Sequence, residues 1–213
     1  MPTVSVELKN VRHRYGSTWA LAGVDLCVAP GSVVAITGPN GCGKSTLLKI
    51  LATRLTPTSG TGSVCGLDLL CETEAIRERV QWLGHELGLY KSLTIEENLS
   101  FSLSVLGLTS PNGAIGRALD RVGLGRLPAT SVAACSSGMR KRLALARLLL
   151  HPADLRLLDE PHTNLDAEGR ALMNTLIGEW KRQGATIILA SHDHAEVMPF
   201  CDLVVRLDRG RME

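Results

Sequence analysis

The nine residues GPNGCGKST, Gly38 to Thr46, restrict this chain more than any other stretch in it. They follow the short apolar run SVVAIT and precede the helical pattern LLKILATRL, so they lie where a buried strand gives way to a helix. The spacing is G-x-x-x-x-G-K-[ST]. Gly38, Gly41 and Gly43 let the backbone curl until successive N–H groups face inward, with Pro39, Asn40 and Cys42 filling the loop. The helix opened by Lys44, Ser45 and Thr46 adds its own unpaired donors. Lys44 brings a positive charge to the β- and γ-phosphates, and the Ser45 hydroxyl can ligate Mg²⁺. The bare pattern arises by chance in roughly one per cent of chains this long, and the correct flanks lower that further. A nucleoside triphosphate site is expected. Cys42, near a lysine and a helix N-terminus, sits where a thiol pKa is lowered, and its alkylation is expected to block turnover unless nucleotide is bound.

Such a loop needs an acidic partner at the end of a neighbouring buried strand. DLRLLDEP supplies it: Leu155, Leu157 and Leu158 lead into Asp159, placed to hold the metal, and Glu160, placed to polarise an attacking water. Hydrolysis is therefore expected, since a module that only binds has no need of Glu160. ATIILAS is another buried run, ending at His192, where an imidazole can bond the γ-phosphate. Tyr15, in RHRYG, is a candidate to stack on adenine.

These strands alternate with helical patterns, which implies a mostly parallel sheet wrapped by helices. TVSVEL and ALAGVDLCVAPG read as strands by alternation, and VQWLG and DLVVRL as further buried strands; Asp166 to Arg182 reads as a helix. From about Thr94 to Leu150 the alternation stops. IEENLSFSLSVL, AIGRALDRV and GMRKRLALARLLL all look helical, so residues 94–150 are expected to form an inserted helical subdomain in a chain of 213 residues. The net charge of +2 gives no electrostatic reason to propose nucleic acid. Six cysteines without a C-x-x-C pair suit a reduced, cytosolic setting. No signal sequence or membrane-spanning run is apparent.

A second anion cradle lies in CSSGMRKR. Ser136, Ser137, Gly138 and Met139 open a helix, where unpaired N–H groups and the positive dipole end face outward. The first cradle already wraps its own phosphates, so the economical role for the second is to close the nucleotide site of another copy. Two copies packed head to tail would bury two ATP molecules in a two-fold arrangement.

Taken together, these motifs make the chain resemble the nucleotide-binding subunit of an ABC transporter over essentially its whole length. Tyr15 matches the adenine-stacking residue, Gly38 to Thr46 Walker A, Ser136-Ser137-Gly138 the signature, Asp159 and Glu160 Walker B, and His192 the switch histidine. The resemblance adds Asp166, at the end of TNLD, as the D-loop aspartate, and it places His85 where the Q-loop usually has glutamine. An imidazole there can still bond the attacking water or bridge to the metal site. It implies one ABC ATPase domain: a RecA-like P-loop core with an N-terminal antiparallel β subdomain (1–93 and 151–213) and the helical insert (94–150). It also implies ATP and Mg²⁺ as ligands, a self-dimer, integral membrane partners, and residence on the cytoplasmic face of the inner membrane. LGHELGLYKSLTIEENLSF together with CSSGMRKRLALARLLL is similar to the branch that serves haem export in cytochrome c maturation. There haem is reached only through partners, and no C-x-x-C-H attachment motif is present here. Another exporter's ATPase, or a soluble mechanical ATPase acting on ribosomes or DNA, are the competing readings.

Overall fold

Alternating apolar residues give β1 (Val6–Tyr15) and β2 (Thr18–Val28) one buried face each: Val6, Leu8 and Val11 on one strand, and Val24, Leu26 and Val28 on the other. The structure, a computed structural model, describes residues 4–108, 113–192 and 197–213. Later in the chain β4 (Ser59–Val64) and β5 (Leu67–Asp68) extend the hairpin to a four-stranded antiparallel sheet, order β2-β1-β4-β5. β1 runs past the expected TVSVEL, because its polar second half pairs with the start of β2 as far as Tyr15 opposite Thr18.

The second sheet has six strands in the order β10-β9-β3-β8-β7-β6. These are β3 (Val33–Thr37), β6 (Val80–Leu83), β7 (Leu155–Asp159), β8 (Thr186–Ala190), β9 (Leu203–Asp208) and β10 (Arg211–Met212). All pair in parallel except β10, which closes a hairpin on β9. β3, β7 and β8 are buried at every position, as their continuous apolar runs require. The expectation of burial fails for the other two: β6 is the edge strand and β9 is flanked by a two-residue strand, so both keep partly exposed positions. Inside β7, Arg156 is 5% exposed yet held: its guanidinium donates to the Gln81 side chain and lies 4.4 Å over the Trp180 ring. Burial pushes that guanidinium down to about 10.

Helix α1 (Lys44–Leu51) carries Leu47, Leu48, Ile50 and Leu51 into the core beneath the sheets, while α2 (Thr73–Arg79) buries only Ile76. Both sheets and these helices belong to one unit, made of residues up to Gly84, Ala153–Pro161 and Leu176–Glu213. Asp202 locks the entry to β9 there. Its carboxylate accepts from the Val33 N–H at 2.9 Å and from Lys181 Nζ at 2.6 Å, and these two donors hold it below the usual carboxylate range, the lysine foremost. Stability from this group is present above the ordinary carboxylate pKa and is lost as pH falls through the lowered value. Asp202→Ala is expected to cost about 1–2 kcal/mol at neutral pH, a discounted figure because the pair is half-exposed. Urea unfolding should show that difference shrinking toward pH 3; a constant difference would refute the assignment.

The second unit comprises His85–Pro152 and His162–Thr175. Its helices are α3 (Ile95–Val105), α4 (Ala114–Arg121) and α5 (Ser137–Leu150), with a 3-10 turn at Val132–Ala134. A capping box starts α3: Glu97 N–H donates to Thr94 Oγ1 at 3.2 Å and Thr94 N–H to Glu97 Oε2 at 2.8 Å. Ile95, Leu99, Leu119, Leu143 and Leu145 are fully or almost fully buried. Helix α6 (Ala167–Arg182) begins in this unit and ends in the first.

Candidate nucleotide site

Sheet register assembles the site. Ile36 on β3 pairs with Ala190 on β8, and Ala190 pairs with Asp159 on β7. With strands about 4.8 Å apart, three carboxyl ends stand level in one row, the edge at which open parallel sheets bind ligands. The loop begins at Gly38, two residues past Ile36; His192 lies two past Ala190; Glu160 directly follows Asp159. Two backbone bonds extend the row, Ser191 N–H to Ile36 O at 3.2 Å and Glu160 N–H to Ala190 O at 3.0 Å.

The loop is braced from behind. Gly43 caps α1 at φ +114°, and a β-carbon there would sit 2.4 Å from the Ala20 carbonyl oxygen of β2. Gly210 N–H donates to Cys42 O at 3.0 Å, and Ala22 N–H donates to Gly210 O at 2.7 Å, so the β9–β10 turn ties the loop to β2. The sequence reading passed over this turn, although Asp208-Arg209-Gly210 is a turn composition. Lys44 Nζ donates to Gly38 O at 2.7 Å and Pro39 O at 3.2 Å, which keeps the ammonium at the loop. Cys42 is buried, at 4% exposure, with its side chain packed inward beneath Gly38, so the expected alkylation is corrected: the thiol is shielded by packing.

Asp159 is 1% exposed, and neither carboxylate oxygen has a hydrogen-bond partner among the described residues. A buried carboxylate in that condition is costly unless a cation meets it, and this is the observation that fits Mg²⁺ at Asp159 with the Ser45 hydroxyl. Glu160 has φ +47°, an uncommon conformation for a glutamate, and its Oε2 lies 2.8 Å from His192 Nδ1. A carboxylate only accepts, so His192 Nδ1 is the donor in this pair and Nε2 is left to face outward. The two side chains read separately from the sequence are thus one hydrogen-bonded pair. Tyr15 is 51% exposed at the tip of its hairpin, its ring edge-on to His13 at 4.8 Å.

The remaining motifs lie in the second unit. Ser136 caps α5 by accepting from Met139 N–H at 3.1 Å, so Met139 spends its N–H within the motif, while Ser137 and Gly138 open the helix with theirs. Asp166 caps α6 through Gly169 N–H at 2.9 Å and accepts from Arg142 Nη2 at 2.8 Å; the amide and then the arginine hold its carboxyl below the usual range. Arg142, on the signature helix, also reaches Glu168 at 3.2 Å, a connection that the sequence reading missed because the partners are 24 and 26 residues away. His85 is exposed, two residues beyond the Leu83–Leu158 pair.

The ABC transporter family profile matches residues 21–163. The chain is 36% identical over 208 residues to the aliphatic sulfonates import ATP-binding protein SsuB 2 of Xanthomonas axonopodis pv. citri, covering 97% of this chain and 69% of that protein. It is likewise 36% identical over 177 residues to the cytochrome c biogenesis ATP-binding export protein CcmA of Cupriavidus pinatubonensis, covering 83% and 78%. The dimeric post-hydrolysis structure of the ATP-binding cassette MJ0796, bound to ADP and Pi, matches with a TM-score of 0.88 at 28% identity, covering 98% of this chain and 96% of that one. A RecA-like P-loop core with an antiparallel β subdomain, carrying the loop, the acidic strand end and the signature helix start in one chain, therefore has its relatives here: the chain belongs to the ABC transporter family, as an ATP-hydrolysing cassette subunit.

Proposed function

We propose that this chain powers a membrane transporter by hydrolysing ATP as a head-to-tail pair, and that the transporter handles haem for cytochrome c maturation. The observation that carries the chemistry is the row of Asp159, Glu160 and His192 at the carboxyl edge beside the loop. Gly38 to Thr46 bind the triphosphate, Lys44 supplies charge, and Tyr15 stacks on the base. Ser45 and Asp159 would hold Mg²⁺, which supplies charge neutralisation at the β- and γ-phosphate oxygens. Glu160 takes the proton of the attacking water, and His192, steadied through Nδ1, addresses the γ-phosphate. Ser136, Ser137 and Gly138 serve the partner copy's nucleotide, with Asp166 beside them, and His85 reaches the attacking water from the segment leading into the helical insert 94–150. That insert is the part offered to integral membrane subunits at the cytoplasmic face of the inner membrane. Among the described residues no helix is long and apolar enough to cross a membrane.

The haem reading rests on the residues around His85 and the Cys135-Ser136-Ser137-Gly138-Met139 signature, and on the similarity to CcmA. The equal identity to SsuB 2 makes a sulfonate permease the natural rival. The test is capture of a tagged Glu160→Gln variant with ATP from gently solubilised membranes. Co-purification of haem-handling membrane subunits, with loss of c-type cytochromes in the variant strain, is the expected result. A different permease discards the haem role and keeps the mechanism; ribosomes or DNA without membrane protein discard both.

A further inference from the structure

The backbone that follows His85 is held at two places by different means. Arg147, in the last turn of α5, donates from Nη2 to Leu87 O at 2.8 Å and from Nη1 to Gly88 O at 3.1 Å. Gly88 adopts φ +62°, and a β-carbon there would lie 3.4 Å from Nη1, so glycine lets the guanidinium sit close to two successive carbonyls. Further along, Asn98 of α3, itself buried, accepts from Tyr90 N–H at 2.8 Å and donates to Tyr90 O and Thr94 O, each at 2.9 Å. Lys91 O and Leu93 O accept from Ala133 N–H at 3.1 Å and Val132 N–H at 3.0 Å in the 3-10 turn. Residues 90–94 are therefore fastened to α3 and the 3-10 turn, whereas Leu87 and Gly88 are fastened to α5 through the Arg147 side chain. All of these groups lie within the second unit.

We infer that Arg147 is a positioning residue for His85, making the backbone just after His85 an extension of the helix whose N-terminus is the signature. This rests on the reading above, in which His85 reaches the attacking water and Ser136 to Gly138 engage the partner's nucleotide. An α-helix is a stiff rod, and Arg147 lies about 15 Å along it from Ser137 at 1.5 Å per residue. Displacement of that rod when the signature engages phosphate is passed through two charge-assisted bonds to carbonyls two and three residues from His85. The planar fork of arginine suits two neighbouring carbonyls; a lysine ammonium is a point donor that does not fix both. Reciprocally, the position of His85 feeds back on how α5 presents the signature.

The test combines a double-mutant cycle with hydrogen exchange on the full chain. Arg147→Met is expected to lower kcat about tenfold with KM held within about twofold, since small misplacements near the reacting atoms carry large rate penalties. Arg147→Lys should recover only part of that loss, and in a His85→Ala background Arg147→Met should have no further effect. Without nucleotide, amides 86–89 should exchange faster in Arg147→Met while 90–94 stay protected. Additive losses in the cycle, or faster exchange spread evenly over the helical unit, would make Arg147 an ordinary stabilising residue and overturn the inference. Unchanged kcat in His85→Ala alone removes the role given to His85 and the positioning claim with it, while the exchange pattern reports separately whether the tether exists. If Arg147→Met does not fold, Arg147→Lys carries the same comparisons.

Discussion

Glu160→Gln is expected to lower kcat for ATP hydrolysis by about 10³-fold while ATP binding and nucleotide-driven dimerisation persist. The substitution is chosen for what it leaves alone. Residue 160 sits at φ +47°, where any side chain other than glycine is strained, and glutamine carries the same strain, length and backbone bond to Ala190 O. His192 Nδ1 can still donate to the amide oxygen, so the local geometry survives and only the proton-accepting oxygen is lost. The Glu160 side chain is mostly buried whereas His192 is largely exposed, which makes the carboxylate the fixed partner and the imidazole the one able to follow a phosphate. His192→Ala should therefore cost less, about tenfold to a hundredfold, because Glu160 keeps its backbone placement without the histidine. Phosphate release, nucleotide binding and sedimentation, measured on the same preparations, separate these steps. A Glu160→Gln enzyme that turns over within tenfold of the parent would show that the base is another group.

How far the sequence carried the argument follows from which residues speak locally. The loop 38–46, the strand leading into Asp159, and β8 before His192 were legible because continuous apolar runs mark doubly covered strands and because a phosphate loop needs glycines at fixed offsets. β4 and β5 were not legible: Ser59 to Val64 contains two glycines, has weak intrinsic strand preference, and becomes a strand only through pairing with β1. The same holds for β10, two residues long and dependent on β9. Within the site, sequence reasoning found Glu160 and His192 one at a time. Their 2.8 Å contact follows from the parallel register of β7 and β8, which no local pattern encodes. Side-chain ties of long sequence separation, such as Arg142 to Asp166 and Arg147 to Leu87, were invisible for that reason.

Gly43→Ala should be severely damaging, destabilising the fold by about 3 kcal/mol or more and weakening ATP binding by at least about a hundredfold. Two separate costs meet there. The residue holds φ +114°, which an L-residue adopts only under strain, and the added β-carbon would lie 2.4 Å from the Ala20 carbonyl oxygen and 2.8 Å from Leu21 Cδ2. The carbonyl is backbone of β2 and the leucine is fully buried, so neither yields cheaply; α1 or β2 must shift instead. α1 carries Leu47, Leu48, Ile50 and Leu51 into the core, so moving it disturbs packing and the loop's N–H directions together. Gly41→Ala separates the two costs. That residue has φ +79° and nothing within 4 Å of an added β-carbon, so it bears strain without collision, about 1–2 kcal/mol. Urea unfolding of both variants beside nucleotide titration decides the matter. Equal losses at 41 and 43 would mean that backbone strain alone is at work and that the brace of β2 against the loop contributes nothing; a clear excess at 43 makes the position of α1 the structural condition for phosphate binding.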